Sequence, residues 1–311
     1  MATLVAQPAS ALPSLDQALS THDFSKSRQL YNTLPEDCDQ PAICDSHIQN
    51  LASLFVRHNA HHVLGIHLIH GHFTIPEDTV LLGTNINFSE EAAKGAKGVK
   101  GRWIRITPTS SLTPLSTGAA IHGHIFVFTG QDDKQLCAYE YQQGPLPDLS
   151  AVGAGFLDDF IEYLVANELT GLIGLQVLDP DCPPSEKTTS TSSSSSMYEL
   201  ILGDEGTVML EADGIKNCKP TRVTGWKFEV GGGPIPKDSE AGSDETGGAG
   251  DGQGQGQSQS PFYGPKVCSR GETHAAMTSG NHKVFNSGML KRARLEKVED
   301  LERVLVEAGV L

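Results

Sequence analysis

Residues 65–83 read GIHLIHGHFTIPEDTVLLG, and the change of hydrophobic period that they complete decides the fold class. Just upstream, Ile48, Leu51, Leu54 and Phe55 recur at helical spacing, which predicts a helix from Asp45 or Ser46 to about Asn59. From Leu64 the period becomes two: Leu64, Ile66 and Leu68 alternate with Gly65, His67 and Ile69. Pro76-Glu77-Asp78 then offers a turn and TVLLG a returning strand, so a β-hairpin is expected.

Working outward, strands are expected at RWIRIT (102–107), HGHIFVFTG (122–130) and LCAYEYQ (136–142), the last two turned by Asp132-Asp133. GFLDDFIEYLVANEL places Phe156, Leu157, Phe160, Ile161 and Leu164 on one stripe. Asp158 and Asp159 lie at the positive end of its dipole and Gly171 is the expected C′ residue. GLIGLQVLD, a hairpin MYELILGDEGTVMLEA and a strand RVTGWKFEV follow, and Leu295, Val298, Leu301 and Leu305 predict a C-terminal helix. Near the start, Ser14 to Gln17 fits a capping box. Hairpins that follow one another, flanked by helices, predict an α+β class: one domain over 1–311, with a largely antiparallel or mixed sheet packed by N-terminal, central and C-terminal helices. Residues 183–196, Ser/Thr-rich, and 231–260, rich in Gly, acidic residues and Gln, carry too little apolar surface to offset ordering entropy and are expected to be disordered inserts.

A net charge of −15 repels phosphate backbones and anionic membrane surfaces, so neither nucleic acid nor membrane is an expected partner. No window approaches the roughly 20 apolar residues of a membrane span, and the opening MATLVAQPASALPSLDQALS lacks a basic n-region, so a soluble cytoplasmic protein is expected. Six cysteines without a CxxC pair read as reduced thiols.

His70-Gly71-His72 returns 52 residues later as His122-Gly123-His124. Residues two apart on a strand share a face, so each pair projects both imidazoles one way. If the two strands are close neighbours, His70, His72, His122 and His124 converge on a divalent transition metal such as zinc, with water as a further ligand. By strand phase His70 and His72 share the face of Leu64, Ile66 and Leu68. His58, His61 and His62 suit a helix C-terminus without any chemistry. Cys268, His274 and His282 are further possible ligands, but C-x5-H-x7-H matches no standard zinc spacing. The second candidate site is KGAKGVKGRW, where Lys94, Lys97 and Lys100 among glycines can receive an anion, although the stretch lacks the final Lys-Ser/Thr of a P-loop. No GxSxG, HExxH, Walker A or GxGxxG motif is present.

HHVLGIHLIHGHFTIPEDTVLLG, with WKFE at 226–229 and HKVFN at 282–286, resembles a family of filamentous-fungal proteins to which no activity is assigned. That resemblance implies an intracellular accessory protein associated with specialised metabolism, and carries over no catalytic residue. Three functions are therefore expected, the third of them a binder of a phosphate ligand through Lys94, Lys97 and Lys100. The first is a noncatalytic binding protein with a protein or small-molecule partner, presenting Trp103, Trp226 or the Lys-Gly loop. The second is a metal-dependent enzyme built on the two His-Gly-His pairs.

Overall fold

The computed structural model describes residues 12, 15, 19–88, 98–112, 121–130, 136–178, 197–229, 266–268, 272–277 and 295–311. Both low-complexity stretches, the Ser14–Gln17 box, the Asp132-Asp133 turn, Lys94, Lys97 and His282 lie outside them. The described chain is α+β with a mixed sheet. No described helix is long and apolar enough to cross a membrane.

Helix α1 (Thr21–Tyr31) begins at a reciprocal capping box between Ser20 and Asp23. Helix α2 (Asp45–Arg57) follows the expected spacing and buries Ile48, Leu51, Leu54 and Phe55. It stops because Asn59 takes a left-handed φ of 54°. Helix α3 (Phe156–Ala166) buries Phe156, Phe160, Ile161 and Leu164. Its cap is Asn167, followed by Glu168 at φ 58°, rather than the expected Gly171. Helix α4 (Val298–Glu307) buries Leu301, Val304 and Leu305 and ends before Gly309, φ 72°.

The strands are β1 (Leu64–Leu68), β2 (Thr79–Asn87), β3 (Lys100–Pro108), β4 (Ile121–Phe128), β5 (Leu136–Gln143), β6 (Ile173–Val177), β7 (Met197–Ile201), β8 (Thr207–Glu211), β9 (Cys218–Val223), β10 (Gly225–Glu229), β11 (Lys266–Cys268) and β12 (Glu272–Met277). Their order across the sheet is β11-β10-β1-β6-β4-β5-β2-β3-β8-β7-β12-β9. The pairs β4–β5 and β7–β8 are hairpins as expected. The β1–β2 hairpin does not form. Three strands stand between them, and β2 instead pairs antiparallel with β3 over nine residues and parallel with β5. The chain from Ile69 to Asp78 thus crosses between distant strands; a turn signal fixes a reversal of direction but not the partner.

RVTGWKFEV is likewise two strands. Val223 is the last β9 residue paired with β12, at Thr273, and Gly225 is the first β10 residue paired with β1, at His67. Only Thr224 separates them, and its carbonyl accepts from the Leu68 backbone N–H at 2.6 Å. One bent strand therefore spans both margins, and the sheet from β1 round to β12 closes on itself. Side-chain alternation agrees with closure. Phe126, Val80, Leu82, Trp103, Val208 and Leu210 lie in the clusters packed with α2 and α3 or with α4. Their strand neighbours Ile125, Leu81, Ile104 and Met209 form a third cluster with Tyr31 and Tyr139, on the inner face.

Trp103 is 2% exposed in the α4 cluster, so it presents no surface. Trp226 is partly buried against the α2–α3 cluster. His58 hydrogen-bonds Asp159 of α3 at 2.9 Å, alongside Arg57 to the same oxygen at 2.9 Å, and so ties the end of α2 to the start of α3.

Candidate metal centre

Four side chains converge on the inner face where the closed sheet meets its bent strand. His70 and His72 leave the end of β1, Glu199 projects from β7, and His274 from β12. One nitrogen or oxygen of each lies within 4.8 Å of the others. Alternation explains the last two: Tyr198, Leu200 and Ala275 belong to the α4 cluster, so Glu199 and His274 face inward. His274 Nε2 is 3.0 Å from His70 Nε2 and 3.0 Å from Glu199 Oε2. His72 Nε2 is 3.4 Å from Glu199 Oε1, and His70 Nε2 is 4.0 Å from Glu199 Oε2. Ligands at ~2.0–2.1 Å from one ion sit about 3.0–3.4 Å apart at tetrahedral or cis-octahedral angles; the three shorter separations fall in that range and the 4.0 Å between His70 and Glu199 lies beyond it. All four side chains are under a tenth exposed.

Neighbouring groups fix which nitrogen each ring presents. His70 Nδ1–H donates to the Leu68 carbonyl at 2.6 Å, which aims its Nε2 lone pair into the cluster. His274 Nδ1 meets Asp37 Oδ2 at 3.0 Å, a carboxylate–imidazole pair of the kind that orients metal-bound histidine. Asp37 is held in turn: Arg222 of β9 donates to the backbone carbonyls of Asp37 and Pro41. His72 is positioned by its backbone N–H, which donates to the Tyr31 hydroxyl at 3.1 Å. Among the described residues, the polar side-chain atom against its buried Nε2 is Glu199 Oε1, at 3.4 Å.

The electrostatics follow from burial and crowding. Burial, with the like charges of His72, His274 and His67, holds His70 well below the ordinary imidazole range, and Glu199 opposes this only in part. Burial works against charge on His274 too, but its hydrogen bonds to Asp37 and Glu199 and their charges push it up to about 9. Burial raises the Glu199 carboxyl, yet the charge of His72 and hydrogen bonds from His274 and His72 leave it well below the carboxylate range. Asp37 is raised by burial and lowered more by its bond to His274, to about 2. With His274 pushed up and its Nε2 3.0 Å from both His70 Nε2 and Glu199 Oε2, a proton there would compete with a cation for the same donors.

The two His-Gly-His pairs do not converge. Ile66 of β1 and Phe126 of β4 both lie opposite Leu175 of the intervening β6, so β1 and β4 run the same way. His70 comes four residues after that row and His122 four residues before it, which at ~3.3 Å per residue separates them by roughly 20 Å or more. His122 Nδ1 donates to the Gly123 carbonyl at 2.9 Å, and His124 Nε2 lies 3.3 Å from Gln176 Nε2, beside a separate cavity. The strand phase assigned to His70 also fails. Leu64 and Ile66 face α2 and α3, whereas His70 stacks on the inward His67 at 5.1 Å, because the extended strand ends at Leu68. Lys100 is exposed at the first position of β3. Sequence reasoning missed Glu199, and it set His274 aside on local spacing.

No family model matches the chain, and neither a curated protein nor a solved structure matches it.

Proposed function

We propose that the protein is a metal-dependent enzyme whose divalent transition metal is held by His70, His72, Glu199 and His274. The observation that carries this is the convergence of three imidazoles and one carboxylate, buried and individually oriented, at the seam of the sheet. Imidazole donors suit Zn, Fe, Cu and Ni, and the carboxylate adds a hard oxygen that Fe and Mn also accept. A catalytic role is favoured over a structural one by a cavity on the inner side of the ligands. That cavity is also lined by Tyr31, Tyr139 and Glu140, so a further coordination position has somewhere to open.

A noncatalytic binding protein is the second reading, favoured by one observation. The ligands come from the segment that follows β1 and from β7 and β12, so an ion there would also fasten the closure of the sheet.

The test is elemental analysis of untagged protein purified without chelator. One equivalent of metal in the wild type and in His122→Ala/His124→Ala, with loss in His72→Ala and in Glu199→Gln, supports the proposed ligand set. A metal-free wild type after reconstitution would sink it. Chelated protein that keeps its circular dichroism favours catalysis, while unfolding on chelation favours the structural alternative.

A further inference from the structure

We infer that the open position of this centre takes one small neutral ligand, water or a diatomic gas, and excludes organic donors; the inference rests on the metal reading above. The cavity beside the ligands has a volume of about 20 Å³. By the same measure one water needs ~10–15 Å³, so there is space for a water or a diatomic molecule and none for a ring. Opposite the ligands, part of its wall is apolar and close-packed. Leu81, Ile104, Ile125 and Met209 are each at most 3% exposed and belong to the inner cluster, and a close-packed interior does not yield volume cheaply.

The backbone is adapted to this wall. Gly123 pairs with Tyr141, Ile125 with Glu140 and Phe126 with Ala138. His124 is therefore an extra residue in β4 and Tyr139 an extra residue in β5. Paired bulges of this kind re-aim side chains, and here two consecutive residues, Tyr139 and Glu140, both line the cavity.

Charge then selects among small ligands. A divalent ion would be balanced by Glu199 and by Asp37 behind His274, and Glu140 is matched by the Arg102 guanidinium that donates to it. The assembly is formally neutral, and an added anion would bring an uncompensated charge into it. A neutral ligand brings none.

The experiment uses the full chain loaded anaerobically with Fe(II), its iron content measured before any ligand is added. Nitric oxide should give an iron–nitrosyl electron paramagnetic resonance signal, while azide and imidazole at equal concentration should leave the iron unaltered. Ile104→Ala, with Leu81→Ala as a second route if the first does not fold, should tighten imidazole binding by about tenfold or more, the scale on which closed pockets discriminate small changes in volume. Imidazole or azide binding to iron in the wild type would overturn the inference, as would iron-loaded protein that does not take up nitric oxide. Failure to retain iron, zinc or any related metal would instead remove the parent proposal, and the present one with it.

Discussion

His274 Nε2 lies 3.0 Å from His70 Nε2, although 204 residues separate them in the chain. The contact exists because Thr224 bends one strand so that β9 holds β12 while β10 holds β1. His274 is thereby delivered to the end of β1 without β12 and β1 being neighbours in the sheet.

Removing Asp37 from that arrangement should weaken the metal without abolishing it. Asp37→Asn keeps a hydrogen-bond acceptor for His274 Nδ1 but withdraws the negative charge that makes the ring a better donor. Loss of an outer carboxylate of this type costs about 10–100-fold in metal affinity. Competition with a chromophoric chelator should show a drop in that range for Asp37→Asn and a larger one for His274→Ala. Equal affinity in Asp37→Asn and wild type would show that the carboxylate plays no part in orienting the ligand.

The same cluster sets a pH dependence that metal binding should remove on its alkaline side. In chelated protein, His274 is raised from 6.5 to about 9, so its contribution is complete below 6.5 and is lost as pH rises through about 9. His70 is held below 6.5, so the unfolded chain takes up a proton there that the folded one does not, and stability falls as pH drops beneath 6.5. Asp37 contributes above 3.8 and loses that contribution only as pH falls through about 2. Together these groups place the metal-free maximum near pH 6.5. With zinc present, the ion displaces the His274 proton, so stabilisation by metal should grow from pH 6.5 to 9. Thermal melts across this range should therefore fall with rising pH in chelator and stay nearly level with zinc; parallel slopes would falsify the assignment of His274 as a ligand.

Much of the architecture was legible in the sequence, and the rest was hidden for identifiable reasons. Helices α2 and α3 follow the spacing of Phe55, Phe156, Phe160 and their neighbours, because their inner stripes pack directly against one another: Phe55 meets Phe156 at 4.9 Å and Phe160 at 5.7 Å. Strand positions were also readable, since alternation is a local property. Strand partners were readable only inside the β4–β5 and β7–β8 hairpins. Pro76-Glu77-Asp78 marks a change of direction between β1 and β2, and nothing local shows that β6, β4 and β5 stand between them. His70 and His72 were noticed as a pair, and His122 and His124 were joined to them by repetition of four letters rather than by topology. Glu199 was passed over because a lone carboxylate in MYELI reads as an ordinary outward-facing position. Only the closed sheet makes its face the interior. The local signs were the apolar Met197 and Ile201, two residues before and after it on the same side.

The inner face also carries a charge pair remote from solvent, whose loss should be costly. Arg102 Nη2 donates to Glu140 and Arg102 Nε donates to Gln142 at 2.6 Å, with side-chain exposures of 7% and 12% for the ion pair. Removing one partner strands the other charge in the interior, a change worth about 3–5 kcal/mol. Glu140→Gln and Arg102→Met should each lose stability on that scale in urea denaturation. The double variant Arg102→Met/Glu140→Leu, which leaves neither charge, should recover most of the loss. A double variant as unstable as the sum of the singles would mean that the guanidinium acts through packing rather than through its charge.

Closure of the sheet predicts a position where even a methyl group is excluded. A Cβ on Gly65 would lie 2.6 Å from the backbone carbonyl oxygen of Trp226 and 3.1 Å from Leu178 Cδ2. The carbonyl belongs to the short β1–β10 pairing, which rests on Ile66–Trp226 and His67–Gly225. Backbone cannot swing aside there without parting the two strands, so Gly65→Ala should cost about 1–3 kcal/mol, the usual range for overpacking. Gly71 is the control. Its added Cβ would come no closer than 3.4 Å, to Leu34 Cβ, an ordinary contact. Gly71→Ala should therefore be nearly neutral, even though it stands between two proposed metal ligands and Gly65 is five residues before His70. Hydrogen exchange at the Leu68 amide, which is bonded to Thr224 across the seam, should accelerate in Gly65→Ala and stay unchanged in Gly71→Ala. The opposite pattern would place the strain at the histidine turn and would argue against a seam held by β10.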